Sequence, residues 1–176
     1  MSHTFDLNQF HRPGVLRDGT PMVIRVARPD DRARMIAAFC KLDPQTIYTR
    51  FFSFKKGLSE AELSHLDAPS FDRYVTLVVT VGDGASETII AAASCVTIET
   101  DGPDRTAELA FTVEEDYQRQ GLASQLLKAI TDLAHSGGIR HCVADVLPDN
   151  AAMLAVFRRS GLPMTIVPRV FRSQPE

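Results

Sequence analysis

Apolar side chains return every three to four positions at Leu122, Leu126, Leu127, Ile130 and Leu133, and Gly137-Gly138 follow. That spacing predicts an amphipathic helix with a glycine stop. Before it, Glu108 to Val113 reads as a strand; after it, His141 to Val146 reads as a second one. Pro148-Asp149-Asn150 then supplies a turn and N-cap, Met153, Leu154 and Phe157 form the apolar face of a further helix, and Gly161 ends it. Upstream, Val15 to Ile24 predicts a hairpin turning at Asp18-Gly19, with its second strand continuing through Ala27. Pro29-Asp30-Asp31 opens a helix whose inner face is Met35, Ile36 and Phe39. Residues 44–67 read as two short helical pieces parted by Gly57. Tyr74 to Val81 and Ile89 to Ile98 are β-rich runs separated by Gly82-Asp83-Gly84, and Asp101-Gly102-Pro103-Asp104 turns into the strand ending at Val113. Met164 to Phe171 predicts a closing strand, with Pro168 confining part of it to an edge. Residues 1–12 read as a loose arm and 13–176 as one α/β domain, without repeat or linker.

A chain of 176 residues with 44% hydrophobic content is long enough to bury a substantial core. Net charge is −3, so no global basic field favours nucleic acid, and Lys55-Lys56 and Arg158-Arg159 read as solvated surface. No apolar run reaches membrane-span length, and the N-terminus, with His3, Asp6 and Asn8, lacks a signal-peptide pattern. The expectation is a cytoplasmic protein with no membrane partner. Cys40, Cys95 and Cys142 are odd in number, far apart and in apolar surroundings, which predicts buried, reduced thiols. His65, His135 and His141 have neither metal-ligand nor triad spacing, so no metal is expected.

The segment Gln118-Arg119-Gln120-Gly121-Leu122-Ala123 joins a strand to a helix start. Such a junction gathers backbone N–H groups at the positive end of the helix dipole and suits a phosphate or pyrophosphate. Gly121 and Ala123 leave room for a bulky anion to approach the backbone. The chain has no G-x-x-x-x-G-K-[ST] segment, and its glycine spacing fails G-x-G-x-x-G, which excludes the two common nucleotide loops.

Taken in order, the loop Gln118 to Ala123, Asn150-Ala151-Ala152-Met153 and Arg158-Arg159-Ser160-Gly161-Leu162 resemble the motifs of the GNAT superfamily of acyl-CoA-dependent N-acetyltransferases. The likeness covers most of residues 21–170. A narrower one is carried by Ile47-Tyr48-Thr49-Arg50-Phe51-Phe52-Ser53, Leu58-Ser59, Asp72-Arg73 and Asp145 to Leu154, which are similar to the catalytic domain of Pat-type bacterial protein lysine acetyltransferases. Members of that group often carry a further domain, for which 176 residues leave no room.

The resemblance implies a GNAT-like single α/β (α+β) domain: a central mixed, mostly antiparallel twisted sheet flanked by helices, with a splayed strand pair holding acyl-CoA. It assigns Phe111, Thr112, Val113, Gln118, Arg119, Gln120, Gly121, Leu122, Ala123, Ser124, Asn150, Met153 and Phe157 to acetyl-CoA. It also directs the Val113 backbone N–H at the thioester carbonyl, where a donor stabilises charge as it develops. A lysine amine of pKa about 10.4 must first lose a proton, costing roughly 4–5 kcal/mol at pH 7. A carboxylate offsets part of that cost, and the resemblance makes Glu108 this general base; without it, Glu108 reads as an exposed strand-end glutamate. Glu114, Glu115 and Asp116 are rivals by position, but read as a solvated turn whose charge would disfavour a nearby pyrophosphate. Phe157 stands where many relatives place a tyrosine that protonates the departing thiolate, so water must do so or the thiolate leaves unaided. Tyr117 reads as a capping or surface residue. Asn150 doubles as N-cap and contact for the pantetheine arm. Tyr48 and Arg50 fall on the acceptor side; in isolation they read as packing plus a structural ion pair. The acceptor implied is a protein lysine, the alternatives being a small amine such as a polyamine or aminoglycoside, or a non-catalytic acyl-CoA-binding regulatory module.

Overall fold

Period-two alternation of apolar side chains builds one six-stranded sheet. The computed structural model describes residues 6–99 and 102–167. Its strands are β1 (His11–Val15), β2 (Pro21–Val26), β3 (Tyr74–Val81), β4 (Thr88–Glu99), β5 (Thr106–Val113) and β6 (His141–Val143), side by side in chain order. Pairing is antiparallel up to β5, and β5–β6 is parallel. A parallel pair needs a crossover, which is helix α4 (Leu122–Ser136).

The inner face of α4 is the predicted one. Leu122, Leu126, Leu127, Ile130 and Leu133 are all buried, against Leu77 and Val79 of β3, Ala93 and Cys95 of β4, and Ala107 and Leu109 of β5. Burying each leucine or isoleucine contributes about 1.5–3 kcal/mol, so this face is the main source of cohesion. Gly137 ends the helix against Phe71: a Cβ there would lie 2.3 Å from that ring.

Helices α1 (Arg32–Lys41), α2 (Pro44–Phe51) and α3 (Glu60–Ser64) belong to the opposite face. Asp43 caps α2 through the Thr46 N–H at 2.8 Å, and Ser59 and Glu62 form a reciprocal capping box on α3. Met35 and Ala38 pack with Leu66 against Val78 and Ile89, and Phe39 is buried; Ile36, expected to face inward, is exposed.

An ion cluster ties the start of α1 to the sheet. Arg25 of β2 grips Asp31 with two parallel bonds of 2.6 and 2.8 Å and reaches Glu87 at 2.8 Å. Asp31 also accepts from the Arg28 N–H at 2.8 Å. Burial opposes its ionisation, but the bonds from Arg25 and Arg28 prevail and hold its carboxyl below the usual range.

Elsewhere the sequence expectations need correction. The hairpin turns at Asp18-Gly19, with Gly19 at φ +86°, but β1 starts at His11 and Leu7–Gln9 form a 3-10 turn. Order thus reaches into the expected arm, of which residues 1–5 lie outside the described set. The predicted strand to Val146 stops at Val143. Residues 164–167 are not a strand, and 168–171 of the expected closing strand, like Asp101 of the expected turn, lie outside the described residues. Cys95 is buried, whereas Cys40 and Cys142 are exposed.

Candidate active site

β5 pairs with β6 only from Thr106↔His141 to Glu108↔Val143, then runs on to Val113 alone on that side. The missing partner explains why β6 is short: Ala144 to Val146 have diverged from β5. No bulge on β5 causes this, because its ladder with β4 is regular from Ala107↔Thr97 to Val113↔Ala91. Backbone direction follows by alternation. Glu114 donates its N–H to Ile90 O of β4 at 3.0 Å, and Arg105 O accepts from the His141 N–H at 3.2 Å. Even-numbered backbone groups therefore face β4 and odd-numbered ones face the β6 side. The N–H groups of Phe111 and Val113 point into the gap, and Val113 O accepts from Gln118 Nε2 at 3.1 Å.

The gap is a slot of about 50 Å³, lined by Leu109, Ala110 and Phe111, by Ala144 to Val146, by Asn150, Met153 and Phe157, and by Thr49 and Arg50. Helix α5 (Ala151–Arg159) forms one wall. Phe157 meets Phe111 edge-on, with ring centroids 5.9 Å apart. Asn150 accepts from the Met153 N–H at 3.2 Å, which is N-capping, while its side chain also lines the slot. Four predicted cofactor residues (Phe111, Asn150, Met153 and Phe157) thus meet in one place. The sequence reading missed Ala144 to Val146, which it gave to a strand interior.

Next to the slot, the loop before α4 has two residues in the left-handed region, Arg119 at φ +62° and Gly121 at φ +80°. Gly121 begins the helix without a side-chain cap, and the Gln125 N–H is the donor that returns to Gly121 O, at 3.2 Å. The N–H groups of Leu122, Ala123 and Ser124 therefore have no acceptor within the helix. A Cβ on Gly121 would meet nothing within 4 Å, so the glycine answers to φ and the space above it is open. Gln120 turns away and accepts the Arg17 N–H at 2.9 Å, pinning the loop to the first hairpin. The Leu122 side chain is core, Ser124 and Arg119 are exposed, and Thr112 faces the opposite side of the sheet.

That opposite side holds a larger cavity of about 250 Å³ between the sheet and α1–α3. Its walls are mainly apolar, including Phe39, Phe51, Leu63 and Leu66, with Arg50, Glu62, His65 and Glu114 as the ionisable groups and Thr76, Ser94 and Thr112 as hydroxyls. Arg50 lines both spaces. Its Nη2 donates to Ser94 Oγ at 3.1 Å, and its guanidinium lies 4.6 Å from the Phe51 ring centroid. It forms no ion pair among the described residues, contrary to the structural-pair alternative. Burial pushes its pKa down, against the opposing pull of Glu62 and Glu108. Tyr48 instead stacks on Phe54 at 4.9 Å and lines neither space.

Glu108 is exposed at the last β5–β6 pair and borders neither cavity, though Arg50 feels its charge. The expected solvated turn divides into three cases. Asp116 is exposed, Glu115 accepts the Asp43 N–H at 2.9 Å, and Glu114 lines the large cavity. Burial pushes the Glu114 pKa up, Asp116 and Glu115 add to the rise, and the Asp116 N–H and Lys41 work against it. Its parity with Glu108 and Thr112 was the sequence signal for this placement. Glu62 bonds Lys55 and the Ser59 N–H, the latter at 2.7 Å; burial opposes those bonds, yet its pKa falls. His65 stacks on Tyr74 at 3.7 Å, and burial lowers its pKa. Tyr117 packs on the α4-side core. Among the described residues no His, Cys, Asp and Glu cluster could hold a metal ion, and no helix is long and apolar enough to cross a membrane.

A family model described as Acetyltransferase (GNAT) family matches residues 43–162. Acetyltransferase Pat of Mycolicibacterium smegmatis is 33% identical over 150 residues, covering 85% of this chain and 43% of that protein. Acetyltransferase PA5475 of Pseudomonas aeruginosa is 30% identical over 141 residues, covering 78% of this chain and 73% of its own length. The crystal structure of the GNAT domain of S. lividans PAT superposes with a TM-score of 0.76 at 32% identity, over 86% of both chains. The chain therefore spans less than half of the Mycolicibacterium relative but 86% of the S. lividans domain.

Proposed function

The chain belongs to the GNAT family of acetyltransferases, and on that premise we propose that it moves an acetyl group from acetyl-CoA directly onto an amine, a protein lysine foremost, with Glu108 as general base. The observation that carries this reading is the parting of β5 from β6 after Glu108↔Val143 beside an uncapped helix start. The donor set fits the cosubstrate: the N–H groups at Leu122 to Ser124 suit a pyrophosphate, the narrow slot suits a thin pantetheine arm, and the Val113 N–H suits a carbonyl that gains charge. The thioester supplies an activated acyl group. Loop and slot hold and orient it, and Glu108 takes a proton from the amine. Phe157 has no proton to give, so solvent protonates the thiolate. The same reading puts the protein in the cytoplasm.

The lysine acceptor rests on the Tyr48 to Ser53 likeness to Pat-type enzymes. One observation favours the small-amine alternative: the 250 Å³ cavity bears two carboxylates, Glu62 and Glu114. A thiol-release assay with acetyl-CoA and a panel of whole proteins, lysine peptides, polyamines and aminoglycosides separates them. Turnover on proteins or peptides, lost in Glu108→Gln while acetyl-CoA still binds, supports the proposal. Turnover on small amines alone replaces the acceptor. Binding of acetyl-CoA without transfer to any amine leaves a regulatory acyl-CoA-binding module.

A further inference from the structure

We propose that Glu114 is a second catalytic carboxylate, docking the acceptor's ammonium group in the large cavity and taking its first proton. The inference rests on the acetyl-transfer reading and concerns a different step of it. Forming an amide from an ammonium removes two protons from nitrogen, and one carboxylate at the strand start accounts for only one. Glu114 follows Val113 directly, so the N–H aimed into the slot and a carboxylate on the cavity side belong to adjacent residues. Its side chain has the parity of Thr112, which lines the same cavity.

The surroundings of Glu114 explain why it is the group left to meet a cation. Glu62 is held by Lys55 and the Ser59 N–H, and Glu115 by the Asp43 N–H. Glu114 forms no ion pair among the described residues, although Lys41 at the end of α1 gives positive charge nearby; Arg50 on α2 lines the same cavity but bonds Ser94. Asp116 and Glu115 in the turn are the acids beside it, and His65, just after α3, is a further titratable group of the cavity wall. Apolar walls such as Phe39 and Leu63 suit the methylene stem of a primary amine whose charged end reaches Glu114.

The steps balance. An N–H bond of the ammonium breaks and an O–H bond forms on Glu114. The neutral nitrogen bonds to the thioester carbonyl carbon, its second proton passes through water to Glu108 further back along β5, and the C–S bond breaks as the carbonyl reforms. The thiolate recovers one proton from solvent and the other is released.

The test measures thiol release over amine concentration and pH, using a lysine peptide or spermidine, whichever the wild type acetylates faster. Glu114→Gln should raise the amine KM at least tenfold and shift the acid limb of kcat/KM to higher pH, because only amine already neutral in solution is then used. Glu114→Asp should recover part of the loss. Acetyl-CoA affinity and melting temperature should be unchanged or higher, which separates lost docking from lost fold. A Glu114→Gln enzyme with the wild-type amine KM and pH profile overturns the inference and leaves acetyl transfer standing. No wild-type turnover on any amine, with acetyl-CoA bound, overturns the transfer reading and this inference together.

Discussion

Replacing Asp31 by Asn removes a buried charge while preserving shape, and its cost can be worked from the contacts. The carboxylate is 0% exposed and accepts four hydrogen bonds, two from Arg25 and one each from the Arg28 N–H and Arg34. Asn offers one acceptor oxygen and turns its amide donors toward guanidinium donors. Breaking a buried ion pair from one side costs about 3–5 kcal/mol. Glu87 still bonds Arg25 at 2.8 Å, so the expectation is the lower end, about 3 kcal/mol. At about 2–4 °C per kcal/mol for a chain of this length, Tm should fall by about 6–12 °C. Circular-dichroism melts of both proteins from pH 7 downward make the assay. The folded pKa of Asp31 lies below its unfolded value, so its stabilisation is present above the unfolded pKa. It is lost as pH falls through the folded pKa, and the gap between the two proteins should narrow on acidification. A Tm unchanged at pH 7, or a gap that does not narrow between pH 5 and pH 3, refutes the assignment of this cluster as the anchor of α1. Because Met35, Ala38 and Phe39 of α1 line the large cavity, the variant should also raise the amine KM.

Gly121→Ala forces a side chain into φ +80° and should cost about 1–2 kcal/mol of stability; calorimetric titration should show weaker acetyl-CoA binding as well, and unchanged affinity would remove the loop from the binding site. Leu126→Ala empties a fully buried α4 position and should cost about 2–5 kcal/mol in urea unfolding. The thiols should react with a disulfide reagent in a set order at pH 8: the exposed Cys40 and Cys142 first, and Cys95, buried and pushed up to about 12, only after unfolding. Equal rates for Cys40 and Cys95 would contradict the packing of β4 against α4.

Elements with one dry and one wet face were legible from side-chain period alone. Leu122 to Leu133 repeat at helical spacing because one face must be dry, and Val75, Leu77 and Val79 alternate against the same helix. The loop before α4 was legible because a strand, a glycine and a helix start in that order constrain the backbone wherever they occur. What period could not show is where pairing ends. His141 to Val146 has strand composition throughout, yet only three residues pair, since the bend away from β5 is a property of two strands together. Cys40 and Cys142 misled similarly: apolar neighbours in sequence sit on both faces of an element, so they do not guarantee burial. Glu114 was misread for a third reason. Three consecutive acidic residues look alike as composition, while alternation sends the first of them to a different face from its neighbours.

The same alternation makes β5 the organising strand of the site. Its odd side chains, Ala107, Leu109, Phe111 and Val113, join the core under α4, while Thr112 and Glu114 reach the opposite cavity. Its backbone, meanwhile, divides between β4 and the gap. A sheet would ordinarily satisfy the gap-facing groups with the next strand, because an unpaired buried N–H is costly. Here Phe111 and Val113 have no strand opposite them, so their N–H groups remain for water or a polar ligand. The separation of β5 from β6 is therefore more than an opening of the right size. It leaves donors unpaired beside a helix start whose first N–H groups also lack acceptors, and between them the two sets define a track for an extended acyl thioester with an anionic end. A one-residue slip of β5 would exchange all of these roles at once, which explains why slot, core and cavity depend on one register.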